Sequence, residues 1–241
     1  MTFSPPVRSR VLVVCALCVV ALGLASCSST KNNRSGRPDG PVALLAAAKQ
    51  TIDSTDSLHF SLTSSNVPDG AVLRGGEGSA ARPDKFKGDL KVAFAGTTAN
   101  VKVISVGGKF YAQLPITPGY STVDPAQFGV GDPGKYMRKD GGVSTLLIKA
   151  ENPKLGSKSR VNGDVVQQVD ATIPGIVIKD LLVSADPATP VRARFSIVEG
   201  SNELRQAVLT GPFFKKGVDS TLTIVLDRYG DKVDISPPKV G

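Results

Sequence analysis

The chain has 241 residues, with 29 Lys and Arg against 21 Asp and Glu, and a formal charge of +8. Trp is absent and the lysines are scattered, which sets aside nucleic-acid binding, since that needs a basic face with interleaved aromatics. A single histidine removes any histidine-based metal cluster, and no cofactor or metal is expected.

Arg8 and Arg10 are the only charges among the first 26 residues, and VLVVCALCVVALGLAS follows them from 11 to 26. A charged start, a short apolar run and a small-residue exit predict a secretory signal peptide over residues 1–26. At about 1.5 Å per residue the run falls short of a hydrocarbon core roughly 30 Å thick, so a permanent spanning helix is the weaker reading. The exit reads LASC, and Cys27 is the last cysteine of the chain. LASC resembles the lipobox of bacterial lipoproteins, which implies cleavage before Cys27 and acylation of its sulfur. Two or three acyl chains give stable anchoring, each buried CH₂ adding about 0.8 kcal/mol. Cys15 and Cys18 form a CxxC pair, but within the segment expected to be removed. Loss of residues 1–26 takes away two arginines and no acid, lowering the charge from +8 to +6. Residues 27–40 (CSSTKNNRSGRPDG) are nearly free of apolar side chains beyond the acceptor cysteine, and read as a flexible tether. Residues 41–241 are within range of one domain, held without disulfides.

Pro41 suits a first helical turn, and PVALLAAAKQTIDSTDS repeats Leu44, Leu45, Ala48 and Ile52 at helical spacing. The period then becomes two. HFSLTS alternates Phe60 and Leu62 with polar neighbours, and GDLKVAFAG puts Leu90, Val92 and Phe94 on one face. NVKVISVGGKFYAQL reads as two strands joined through Gly107-Gly108, carrying Val101, Val103, Phe110 and Leu114. Helical patches are expected at GGVSTLLIKA (141–150), with Leu146 and Leu147, and at PGIVIKDLLVSA (174–185). VRARFSI and STLTIVL resume the alternation, the latter with Leu222, Ile224 and Leu226 on one face. The order is a helix, about four strands, a helix, a strand, a helix and three or four more strands. That is α+β, with an antiparallel sheet apolar on one face and covered there by helices. A packed aliphatic core and a lined cavity would both give this pattern.

Other motifs carry little chemistry. FGVGDPGKY (128–136) contains both GxGxxG and GxxxxGK, but Tyr136 stands where a Mg²⁺-binding Ser or Thr belongs, and Pro133 lacks an N–H. It reads as a Gly/Pro loop. His59 lies in an alternating strand with no GxSxG elbow in the chain, so it is a strand histidine and not a triad base. Asp231 and Asp234 flank the loop and the start of the last expected strand without standing out as a catalytic pair. Lys215-Lys216 reads as a hairpin tip, with a second reading as a contact for anionic headgroups. No catalytic residue is expected.

Several weak motifs in collinear order resemble one family, the LppX/LprA/LprF/LprG lipoproteins of mycobacteria and related actinomycetes, nearest its LprG/LprA branch. They are SLHFSLT, GDLKVAF, GGKFYAQL, YSTVDPAQ, GDPGKYMRKDGGVSTLL with Asp132, Pro133, Asp140 and Gly142, RVNGDVVQQV, and the closing DRYGDKVDISPP. Arg194, Tyr120 and Tyr229 depart from family tryptophans. The resemblance implies a single-domain, strongly bent antiparallel half-barrel with helices on its concave side enclosing a hydrophobic cavity. It also implies a non-enzymatic carrier of multi-acylated lipids towards the outer mycomembrane. The expected cargo is a phosphatidylinositol mannoside, lipoarabinomannan or a phthiocerol dimycocerosate-like lipid, and a major-facilitator efflux pump is an expected partner. The protein is expected to be exported, anchored to the cell membrane through Cys27, and monomeric. Candidate cavity-lining residues are Phe60, Leu62, Leu90, Val92, Phe94, Val101, Val103, Phe110, Leu114, Leu146, Leu147 and Ile224. A scaffold lipoprotein with a solid core is the alternative.

Overall fold

The computed structural model describes residues 38–94, 96–115 and 117–240, with the side chain of Phe94 outside that set. Helix α1 (Gly40–Ser54) starts with Pro41 in its first turn and buries the Leu44, Leu45, Ala48 and Ile52 stripe. Each such side chain, fully buried, contributes roughly 1.5–3 kcal/mol for the larger ones. The Arg82 guanidinium finishes the helix, donating to the carbonyls of Ile52 and Thr55 at 2.8 Å each and to that of Met137.

The strands are β1 (Ser57–Ser65), β2 (Leu73–Ala81), β3 (Lys85–Phe94), β4 (Thr97–Val106), β5 (Lys109–Gln113) and β6 (Ser121–Thr122) in the first half. The second half adds β7 (Glu151–Val161), β8 (Asp164–Ile173), β9 (Val191–Val198), β10 (Leu204–Lys215) and β11 (Val218–Asp227). All pair antiparallel in one 11-stranded sheet of order β6-β5-β4-β3-β2-β1-β11-β10-β9-β8-β7. Each half is a meander, and β1 against β11 joins them, with Phe60 opposite Leu226 and Leu62 opposite Ile224. The sheet stays open, with β6 and β7 at its edges. Two turns come from residues that accept left-handed backbone: Gly107-Gly108 (φ 59 and 72) and Asn162-Gly163 (φ 51 and 91).

This order dictates where the cover comes from. The chain leaves at one edge, β6, and re-enters at the other, β7, so residues 123–150 must cross a face of the sheet. They do so as 3-10 turns Pro125–Phe128 and Pro133–Met137 and helix α2 (Thr145–Ile148). Helix α3 (Gly175–Lys179) joins them between β8 and β9. Register shifts in β2/β3, β7/β8, β9/β10 and β10/β11 bend the strands, and the sheet curves around this cover.

Three expectations are corrected. Two strands, β7 and β8, stand between the helical patches in place of one, because the polar run ENPKLGSKSRV is an edge strand with little to bury. The helical patches shrink to four and five residues, since each only has to turn its apolar side to the sheet. The outer face is also not bare. The segment after β11 crosses it, and Ile235 packs there with Ala81, Ile104 and Tyr111 in a second small core.

Candidate functional site

Between the centre of the sheet and its cover lies a cavity of about 140 Å³. Its floor is five adjacent strands: Leu73 and Ala80 of β2, Leu58, Phe60 and Leu62 of β1, Leu222, Ile224 and Leu226 of β11, Leu204, Ala207, Leu209 and Phe213 of β10, and Phe195 of β9. Its roof is Val130, Tyr136, Met137, Val143 and Leu146 from the crossing segment, with Ile178, Leu181 and Leu182 from α3 and the turn after it.

The walls are almost purely hydrocarbon. Among the described lining side chains only Tyr136 carries a polar N or O atom, and its hydroxyl donates to the Leu181 carbonyl at 3.5 Å. Burial, then nearby Asp132, pushes the Tyr136 phenol well above its usual pKa, so it stays neutral at physiological pH. Its ring stands edge-on to Phe86, which in turn packs 5.3 Å from Phe60. A Cβ on Gly78 would come within 3.1 Å of the Phe86 ring and 2.5 Å of the Lys87 carbonyl, so the glycine makes room for that stack.

Polar contacts hold the roof down. Ser144 donates to Asp53 of α1 at 2.7 Å, and Lys49 of α1 bonds the Lys139 carbonyl at 2.9 Å while also pairing with Asp53. Asp132 caps its 3-10 turn through the Gly134 N–H at 3.0 Å and accepts from Ser105 of β4 at 2.5 Å. The Gly-rich loop therefore spends its one carboxylate on its own turn, as a structural loop would.

Phe60, Leu62, Leu146 and Ile224 lie on the cavity wall. Leu90, Val92, Val101, Val103, Phe110 and Leu147 are buried in the same apolar core but off that wall, and half-buried Leu114 packs against it. The side chain of Phe94 and all of Cys27 lie outside the described residues. Alternation did mark Phe195, Leu222 and Leu226, which share the inward face with chosen neighbours. The β10 residues were harder to read, because a register shift between Leu204 and Gln206 puts Leu204 and Ala207 on one face three positions apart.

The departures from tryptophan lie off the cavity. Arg194 is on the outer face, its Nε 2.6 Å from Asp170. Tyr120 bridges to Val240. Tyr229 donates to the Leu204 carbonyl at 2.8 Å, and burial, followed by Glu203, holds its phenol above the usual range. His59 faces away from the cavity, 2.8 Å from Asp227 directly across the β1/β11 pair. Among the described residues, no group of three or more His, Cys, Asp or Glu is placed to hold a metal ion.

This geometry has known counterparts. The chain is 25% identical over 235 residues to the lipoarabinomannan carrier protein LprG of Mycobacterium tuberculosis, covering 96% of each. Among solved structures, LprF from Mycobacterium bovis superposes with a TM-score of 0.67 at 18% identity, over 83% of this chain and 97% of that one. Lipoprotein LppX of Mycobacterium tuberculosis gives 0.61 at 16% identity, over 81% and 97%. Both share the open antiparallel fold. The LppX_LprAFG lipoprotein model matches residues 40–235, from the first residue of α1 to the isoleucine beyond β11, and the chain belongs to that family.

Proposed function

We propose that this protein is a non-enzymatic carrier of the cell envelope that holds the acyl chains of a lipid or glycolipid in the cavity beneath its roof. In this reading residues 1–26 direct export, Cys27 carries the acyl anchor, residues 28–40 tether, and the monomeric domain 41–241 binds the cargo. The cargo is multi-acylated, of the phosphatidylinositol mannoside, lipoarabinomannan or phthiocerol dimycocerosate kind. It is received from an inner-membrane transporter such as a major-facilitator pump and passed towards the outer mycomembrane. One observation carries the proposal: a cavity whose described lining side chains offer a single polar atom, the Tyr136 hydroxyl. Such a wall returns roughly 25 cal/mol for each Å² of acyl surface it removes from water. The name of the LprG relative, a lipoarabinomannan carrier, supports the same cargo class.

The volume sets a condition. A cavity near 150 Å³ takes one benzene-sized group, so about 140 Å³ receives the end of one acyl chain, and a full load requires the roof to lift. The same small volume favours a second reading, a solid-core lipoprotein that binds a partner protein. Native mass spectrometry and solvent extraction of the purified full-length protein separate the two. A carrier releases multi-acylated lipid near one equivalent. A protein that arrives empty and stays empty after incubation with lipid vesicles is the solid-core lipoprotein.

A further inference from the structure

Residues 175–185 turn one side to the cavity and the other to solvent. Ile178 and Leu182 are buried and, with Leu181, face the lumen, whereas Ile176, Lys179, Asp180 and Val183 point outward at helical spacing. Hydrogen bonds from the Leu182 N–H to the Ile178 carbonyl (2.8 Å) and from the Ala185 N–H to the Leu182 carbonyl (3.0 Å) carry the turning past the end of α3. Two of the larger exposed apolar side chains of the described residues, Ile176 (57% exposed) and Val183 (37%), therefore share the outer side of the cavity roof.

Cations gather beside them. The Asp186 N–H donates to the Pro212 carbonyl of β10 at 3.2 Å, which brings the segment against the β10–β11 hairpin and its exposed tip, Lys215-Lys216. The Asp186 carboxyl is held below its usual range first by the Ala188 N–H and the Thr189 hydroxyl, and further by Lys216 and Lys179, which places both lysines near it. Lys179, Lys215 and Lys216 outnumber Asp180 and Asp186 on this side of a chain that is basic as a whole. Apolar side chains rimmed by lysines fit a bilayer interface: the hydrocarbon enters the headgroup boundary and each lysine beside an anionic surface adds attraction.

We propose that the outer side of residues 176–183, together with the Lys215-Lys216 tip, docks onto a bilayer containing anionic lipid. The cavity then lies one layer of chain from the membrane, with the same residues serving as its roof. The value of this docking rests on the carrier reading, but docking and lipid content are measured separately.

The absence of Trp makes a clean test possible. Ile176→Trp and Val165→Trp each put one indole fluorophore at an exposed site of the full-length protein, which carries Cys27→Ser so that no acyl anchor attaches it to the vesicle. Val165 lies at the far end of β8, roughly 26 Å from Ile173 over eight strand residues. With vesicles of brominated phosphatidylglycerol and phosphatidylcholine, indole fluorescence is expected to be quenched in the Ile176→Trp protein and unaffected in the Val165→Trp protein. Replacing Lys179, Lys215 and Lys216 by Ala in the Ile176→Trp background should weaken vesicle binding, read from that quenching, about fivefold per lysine. Vesicles of phosphatidylcholine alone should weaken it likewise. An unquenched Ile176→Trp protein, equal quenching of both variants, or indifference to the lysines and to lipid charge would overturn the proposal. Solvent extraction of the same protein reports its lipid separately, so a loaded protein that does not dock leaves the carrier reading standing.

Discussion

Leu90 and Ile224 look alike in the sequence, each the inward residue of an alternating strand, yet they have different surroundings. Leu90 of β3 is 6% exposed and buried in the core off the cavity wall, while half-buried Ile224 borders the void. Leu90→Trp therefore forces bulk into filled space and is expected to cost about 1–3 kcal/mol, read as a clear fall in Tm. Ile224→Trp pushes its ring into a space with room for a benzene-sized group, so Tm should stay near that of the parent while bound lipid falls. Equal melting of the two variants would mean that the void is not a distinct compartment. A period of two reveals which side of a strand faces in. It does not reveal which part of the inward face meets packed side chains and which meets empty space, because the roof decides that. Hence only four of the sequence-chosen residues whose side chains are described lie on the wall, and the Phe–Phe–Tyr stack of Phe60, Phe86 and Tyr136 was not legible at all.

Among the elements, the roof is the one that has to lift if the proposed cargo is to enter whole. Its apolar side chains rest on the cavity, and polar contacts tie its outer margin to α1: Ser144 to Asp53, and Lys49 to both Asp53 and the Lys139 carbonyl. Ser144 is fully buried, so Ser144→Ala leaves an Asp53 oxygen without that partner and is expected to cost about 1 kcal/mol. The loss should be local. Amide hydrogen exchange over residues 137–148 is expected to speed up severalfold, with faster uptake of a fluorescent lipid, while the strands keep their protection. Faster exchange in β1 and β11 as well would show that roof and sheet open together. The sequence marked the roof as two helical patches and a glycine-rich loop. Its position was hidden, because it depends on β6 and β7 being opposite edges, and pairing of β1 with β11 is a contact across nearly the whole domain.

At the scale of the whole molecule that pairing makes one sheet from two meanders. The cavity floor draws on both, with β2 and β1 on one side of the seam and β11, β10 and β9 on the other. Neither half can bury its inward face alone, so the domain should fold as one unit, and slowly, as sheets rich in long-range pairing do. A chain ending after Gly217 lacks β11 and is expected to show no cooperative melting transition by circular dichroism. A sharp transition from that chain would mean that the first meander is an autonomous domain.

The placement of the seam also sets an order of events in the life of the molecule. A polypeptide emerges from its N-terminus, and β11 (Val218–Asp227) follows the other ten strands of the sheet in chain order. Until that strand arrives, β1 has no neighbour on one side, the floor is missing its middle, and there is no enclosure for an acyl chain to enter. A chain that has not yet added β11 thus has two separate meanders and no shared floor, and the cavity comes into being only when that strand joins them.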